Sequence, residues 1–190
     1  MLEHGKIPQL TCQPNYRTDV PFDAFTHALD RYLEMGLNLD PDFQRGHVWN
    51  AEQKVKWIEF LLKGGKSYSD IILNHPGWMK SYKGDFVVVD GKQRLSAIAE
   101  FLKDGFPVFA GLEGKPEGWK ASEIDRSAFR RVSIGFAVNN LKSRTDILRW
   151  YIELNEGAVA HTKEELDRVK NLALQEQAPA KKPTYPEITI

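Results

Sequence analysis

The chain changes hydrophobic period abruptly at residue 90, and that change constrains its fold more than any other feature. Phe86-Val87-Val88-Val89 is a continuous aromatic and β-branched run, the pattern of a buried strand. Beyond Asp90-Gly91, the residues Leu95, Ile98, Phe101 and Leu102 recur at helical spacing, and Gly105 is the expected stop. A buried strand therefore passes into a helix within two or three residues, with a glycine at the junction. The turn Asp90-Gly91-Lys92-Gln93-Arg94 offers a helix N-terminus, where unpaired N–H groups and a partial positive charge favour anions. Lys92 and Arg94 place two cations where the helix dipole disfavours them. An anion held between them resolves that conflict. The competing reading is that Asp90 caps the helix while Lys92 and Arg94 point to water.

Other elements follow from the same periodicities. Phe25, Leu29, Tyr32 and Leu33 mark a helix with Pro21 in its first turn and Gly36 as its stop, and Leu37-Asn38-Leu39 is a short extended piece. Asn50 and Gln53 form a capping box ahead of Val55, Ile58, Leu61 and Leu62. Ile71-Ile72-Leu73 fits a strand or a helix end, whereas 106–109 and 132–138 read as strands. Ser143 and Asp146 open a helix carrying Ile147, Leu148, Tyr151 and Ile152, and Thr162 with Glu165 opens another. Helices and strands mix without regular βαβ alternation, so the expected class is α+β. The expected organisation is a nucleotide-binding domain over 1–140, a helical extension packed on it over 141–176, and a flexible tail over 177–190.

Composition excludes several classes. No apolar stretch approaches the roughly 20 residues that span a bilayer, and Met1 to Lys6 lack the apolar segment of a secretory signal. Cys12 is the single cysteine, which leaves no intramolecular disulfide and no cysteine-based zinc cluster. A cytoplasmic protein without a membrane partner is expected. Formal net charge is zero, so bulk electrostatics give no argument for nucleic acid. The richest basic stretch, Lys115 to Arg144, combines Lys120, Arg126, Arg130, Arg131 and Lys142 with Trp119 and Phe129, but Glu117, Glu123 and Asp125 interrupt it. Any DNA contact is expected there. Gly64-Gly65-Lys66-Ser67 lacks the first glycine of a P-loop and follows a helix, and the five histidines show no metal-ligand spacing.

A second motif precedes the capped helix: Phe43-Gln44-Arg45, then Val48-Trp49. Together with Trp57-Ile58-Glu59, the run from Val88 to Leu95, and Leu154 to Gly157 ahead of Thr162 to Leu166, it resembles the N-terminal domain of GmrSD-type modification-dependent restriction proteins. Order and spacing agree from about Leu39 to Val169. The resemblance implies a ParB/sulfiredoxin-like fold, a small mixed sheet flanked by helices with a C-terminal helical extension. It also implies a nucleoside triphosphate bound by Gln44, Arg45, Gly91, Lys92, Gln93 and Arg94. Separately, Mg2+ entering with the nucleotide is expected on Asp90 or another carboxylate together with phosphate oxygens. If phosphoryl transfer or hydrolysis occurs, Lys92 and Arg94 stabilise charge and Asp90 orients the acceptor or holds the ion. The implied function is an NTPase or phosphotransferase linked to DNA metabolism, modification or defence. The alternative is a non-catalytic DNA-binding module switched by nucleotide. Lys92 stands where sulfiredoxins carry a reactive cysteine, so cysteine redox chemistry is not implied. Nuclease activity is not implied either, because the sequence stops short of the family's nuclease domain.

Overall fold

The computed structural model describes residues 16–44, 49–65, 70–156 and 163–177. The chain divides into two compact units, Met1–Lys142 and Ser143–Ile190. The first contains β1 (Tyr16–Pro21), α1 (Phe25–Glu34), β2 (Leu37–Asn38), α2 (Ala51–Leu62), β3 (Ile71–Asn74), β4 (Phe86–Asp90), α3 (Lys92–Leu102), the one-turn α4 (Arg126–Phe129) and β5 (Ser133–Asn139). The second contains α5 (Arg144–Glu156) and α6 (Lys163–Gln177). The class is α+β, a five-stranded mixed sheet accompanied by helices.

Strand order is β1-β5-β3-β4-β2. The β1–β5 and β3–β4 pairs are antiparallel, and the β5–β3 and β4–β2 pairs are parallel. As its composition predicts, β4 is buried on both faces, from Phe86 to Val89. In β5 and β1 the period of two is visible. Ile134, Phe136 and Val138 enter the core, while Tyr16, Thr18 and Val20 lie half-buried beside them on the same face. Phe25 and Leu29 of α1, Ile58 and Leu61 of α2, and Leu95, Ile98 and Phe101 of α3 complete that core. The capping box of α2 is formed as read: Gln53 N donates to Asn50 Oδ1 and Asn50 N to Gln53 Oε1, both at 2.9 Å.

Several boundaries differ from the sequence reading. Pro21 closes β1 and precedes a 3-10 turn, Phe22–Ala24, so α1 begins later than a helix with proline in its first turn. The expected strand over 106–109 reduces to an isolated bridge between Val108 and Trp119. Pro107 has no N–H to donate, and Phe109 adopts a left-handed φ of 58°, which turns the chain away after one pair. At the end of α3 the left-handed residue is Asp104 (φ 60°), one position before Gly105. Gly105 is needed for space, because a Cβ there would lie 2.8 Å from the Glu100 carbonyl oxygen. In the second unit, Asp146 N donates to Ser143 Oγ at 3.1 Å at the start of α5, and α5 and α6 pack together with Arg144 Nε 3.1 Å from Glu176 Oε1. Thr162 and residues 178–190 lie outside the described residues, as does any test of the expected tail.

Candidate functional site

The end of β4 and the start of α3 form the turn that the change of period announced. Asp90 is the last strand residue, Gly91 takes φ 93° and ψ 11°, and α3 begins at Lys92. Glycine is required here on two counts. An L residue is strained at that φ, and a Cβ would sit 3.1 Å from both the Asp70 carbonyl oxygen and Ile71 Cα. The turn is therefore pressed against the beginning of β3. No side chain caps α3 from the N-cap position. Asp90 does not cap the helix, and its carboxylate turns to Arg94.

Two glutamines fasten the preceding segment to this turn. Gln44 Nε2 donates to the carbonyls of Val88 (3.1 Å) and Val89 (2.7 Å). β2 pairs with β4 only through Leu37 and Asn38, so the Gln44 amide takes over the edge beyond them. Gln93, nearly buried, accepts a 3.3 Å hydrogen bond from Trp49 N, and the Trp49 ring lies 5.5 Å from that of Trp57. Phe43 is a core residue. Arg45 lies outside the described residues, but its neighbour Gln44 is beside the Asp90–Arg94 turn.

The charged residues form a set larger than the sequence suggested. Arg94 Nη2 donates to Asp90 Oδ2 at 2.7 Å and to the Asp70 carbonyl at 2.9 Å, with Nε adding 3.2 Å to the same carbonyl. Lys92 Nζ pairs with Asp40, just past the end of β2. Across the sheet, Arg17 of β1 pairs with Asp70 (3.1 Å) and Asp19 (3.0 Å). The Asp70 carboxylate, first by its hydrogen bond and then by its charge, keeps Arg17 firmly protonated. Gly135 of β5 makes room for this bridge, because a Cβ there would collide with the Asp70 carboxylate. Among the described residues, Arg17, Lys92 and Arg94 thus face Asp19, Asp40, Asp70 and Asp90.

Asp40, Asp70 and Arg17 escaped the sequence reading because single charged residues at strand ends carry no local pattern. Proximity of Asp40 to Phe43-Gln44 was the one available hint. Among the described residues no cluster of three or more histidine, cysteine or acidic side chains is arranged to hold a metal. In the basic stretch 115–144, Lys115 pairs with Glu123 and lies over the Trp119 ring, Arg130 pairs with Asp23 at 3.6 Å, and Lys142 donates to the Pro76 carbonyl. Much of its charge is balanced internally.

A mixed sheet whose penultimate strand runs into a left-handed glycine pressed against the central strand, followed by a cation-bearing helix start, defines a class of α+β domains organised around one strand–turn–helix site. The sequence profile of the GmrSD restriction endonuclease N-terminal domain matches residues 27–184, and the chain belongs to that family. Neither a curated protein nor a solved structure gives a match. The family sets the chain in a restriction context. No helix among the described residues is long and apolar enough to cross a membrane.

Proposed function

We propose that the Asp90–Arg94 turn binds a nucleoside triphosphate and that the domain hydrolyses it, or transfers its terminal phosphoryl group, in a DNA-directed restriction system. The observation that carries this reading is the Gly91 junction. Its left-handed backbone brings the start of α3 against Asp70-Ile71, and Lys92 and Arg94 stand in the first turn. Their partners are exchangeable in different degrees. Asp40 is mostly exposed and free to swing aside, whereas Arg94 is also tied to the Asp70 carbonyl. An incoming phosphate would take Lys92 from Asp40 first and share Arg94 with Asp90.

The local charge also bears on the form of the ligand. A bare polyphosphate would meet the Asp40 and Asp90 carboxylates beside the two cations, which favours a nucleotide arriving with a divalent cation. Asp90 and a released Asp40 would complete that ion's shell beside phosphate oxygens, since the protein alone presents no preformed cage. The ion would neutralise charge on the phosphates. Lys92 and Arg94 would steady the terminal phosphate, and Gln44 and Gln93 would fix the turn's backbone. Arg45, which the family resemblance adds to the site, is tested by Arg45→Ala.

The test is a melting series with ATP, GTP, CTP and UTP, each with and without Mg2+, followed by phosphate release with the nucleotide that binds. One nucleotide is expected to raise the melting temperature, and more with Mg2+ than without. No shift with any of the four would remove the proposal, and a shift without phosphate release or transfer would reduce it to a nucleotide-switched module.

A further inference from the structure

At the opposite end of β3 from the Gly91 turn lies a groove of about 520 Å3, bounded by β1, α1 and the segment after β3. That volume is within the range of sites that take a small planar ligand. Trp78 stands in its wall, with Tyr16 at 5.5 Å, Tyr32 at 6.0 Å and Tyr82 at 5.5 Å between ring centroids. Met79 and Tyr82 stand at the surface, 62% and 49% exposed.

Three costs converge on this groove. Met79 (φ 57°) and Tyr82 (φ 50°) are two of the four described non-glycine residues with left-handed backbone. Such strain is retained where surrounding structure enforces it, and it clusters at binding sites. The strained backbone here exposes two large apolar side chains, whose burial would be favourable. The Trp78 indole N–H is buried with no acceptor, an unmade hydrogen bond in the same wall. Arg31 lines the groove too and has no acidic partner among the described residues.

The lining selects a ligand class. Electron-rich rings alone would suit an organic cation, but the Arg31 guanidinium repels one. A hydrocarbon would leave Arg31 unused. A flat heteroaromatic ring with an attached phosphate uses both, by stacking on the aromatics and pairing with the guanidinium. The exposed rim at Met79 and Tyr82 leaves room for chain on either side of the ring, which fits a strand better than a free mononucleotide. We infer that the Tyr16–Trp78–Tyr82 groove, with Arg31 at its edge, seats an unstacked base of single-stranded DNA and its phosphate. This site is separate from the Gly91 turn and does not depend on the function proposed there.

The experiment is fluorescence anisotropy of the full chain with a labelled twelve-residue oligothymidylate, the corresponding duplex, and competing dTMP. Tyr82→Ala and Arg31→Gln are measured beside the unaltered protein, with melting curves to confirm that both variants remain folded. Both positions are exposed, so folding should persist. The single strand is expected to bind more tightly than the duplex, and each variant to weaken it roughly tenfold, the loss typical of one stacked base. The nucleotide-dependent melting shift should be unchanged in Tyr82→Ala. Absence of single-strand binding, or binding that both variants leave within about twofold, would overturn the inference. Equal preference for duplex would overturn it as well, and dTMP bound as tightly as the strand would overturn the assignment to a strand.

Discussion

Arg94 sits where the dipole of α3 disfavours a cation, and the protein compensates from within: Asp90 supplies the charge and the Asp70 carbonyl supplies an acceptor. Arg94 therefore stabilises the unliganded fold, contrary to the indifference that its helix position alone suggests. Arg94→Ala is expected to cost about 1–3 kcal/mol, the range for lost hydrogen bonds to charged or buried partners. Urea unfolding would measure it, and an unchanged midpoint would show these contacts to be absent in solution. Lys92 and Asp40 differ in kind, because Asp40 is mostly exposed. Asp40→Asn should change stability by no more than about 1 kcal/mol, as for other exposed ion pairs. It should also bind metal-free pyrophosphate several-fold more tightly, since it removes a carboxylate that pairs with Lys92 and repels the anion. Calorimetric titration tests this, and equal affinity in the two proteins would remove Asp40 as the group that competes for Lys92.

At the scale of elements, the junction of β4 and α3 depends on Gly91 more than on any helix cap. Gly91→Ala should destabilise the protein by at least about 1–2 kcal/mol from backbone strain alone, before the contacts with Asp70 and Ile71 are counted. A melting curve within a degree of the unaltered protein would contradict that geometry. The turn after β3 carries a pH dependence. His75 is buried, and its Nδ1 accepts a 3.1 Å hydrogen bond from Gly77 N, so the neutral ring is the native form. Burial, with Lys142 nearby, lowers its pKa from the ordinary value of about 6.5. The unfolded chain thus binds this proton more readily. Its contribution is complete above about pH 6.5 and is lost as pH falls toward the folded-state pKa. Urea titrations between about pH 8 and pH 5 should show that loss, and a His75→Asn variant should lack this part of the slope. Both features have unequal sequence signals. β4, α3 and the α2 capping box were legible because apolar runs and cap residues act locally. β1 was not, because its alternation pairs half-buried Tyr16, Thr18 and Val20 with Arg17 and Asp19, leaving no apolar run to see. The geometry of the candidate site was legible in its turn and in the placement of Gln44 beside it. It was illegible in Asp40, Asp70 and Arg17, which meet it only through strand order.

Across the whole molecule, zero net charge means that long-range attraction adds little to any encounter with a polyanion, so affinity must come from local geometry. A nucleotide at one hundred times its dissociation constant should add about 2.7 kcal/mol. For a chain of this size that is a rise of roughly 5–10 °C in the proposed melting series. The notch at Gly135 has a consequence of another sort. Three strands are tied together there by Arg17 reaching over a missing side chain to Asp70, and Asp70 in turn holds Arg94. In a survey of every single substitution, Gly135 would tolerate alanine better than Gly91. Its Cβ would meet the movable ends of the Asp70 and Arg17 side chains, whereas Gly91 faces backbone at a left-handed φ. A reader of such a map would leave β5 out of the candidate site. The milder score would conceal a steric vacancy that the sheet keeps open for the Arg17–Asp70 pair beside the Gly91 turn.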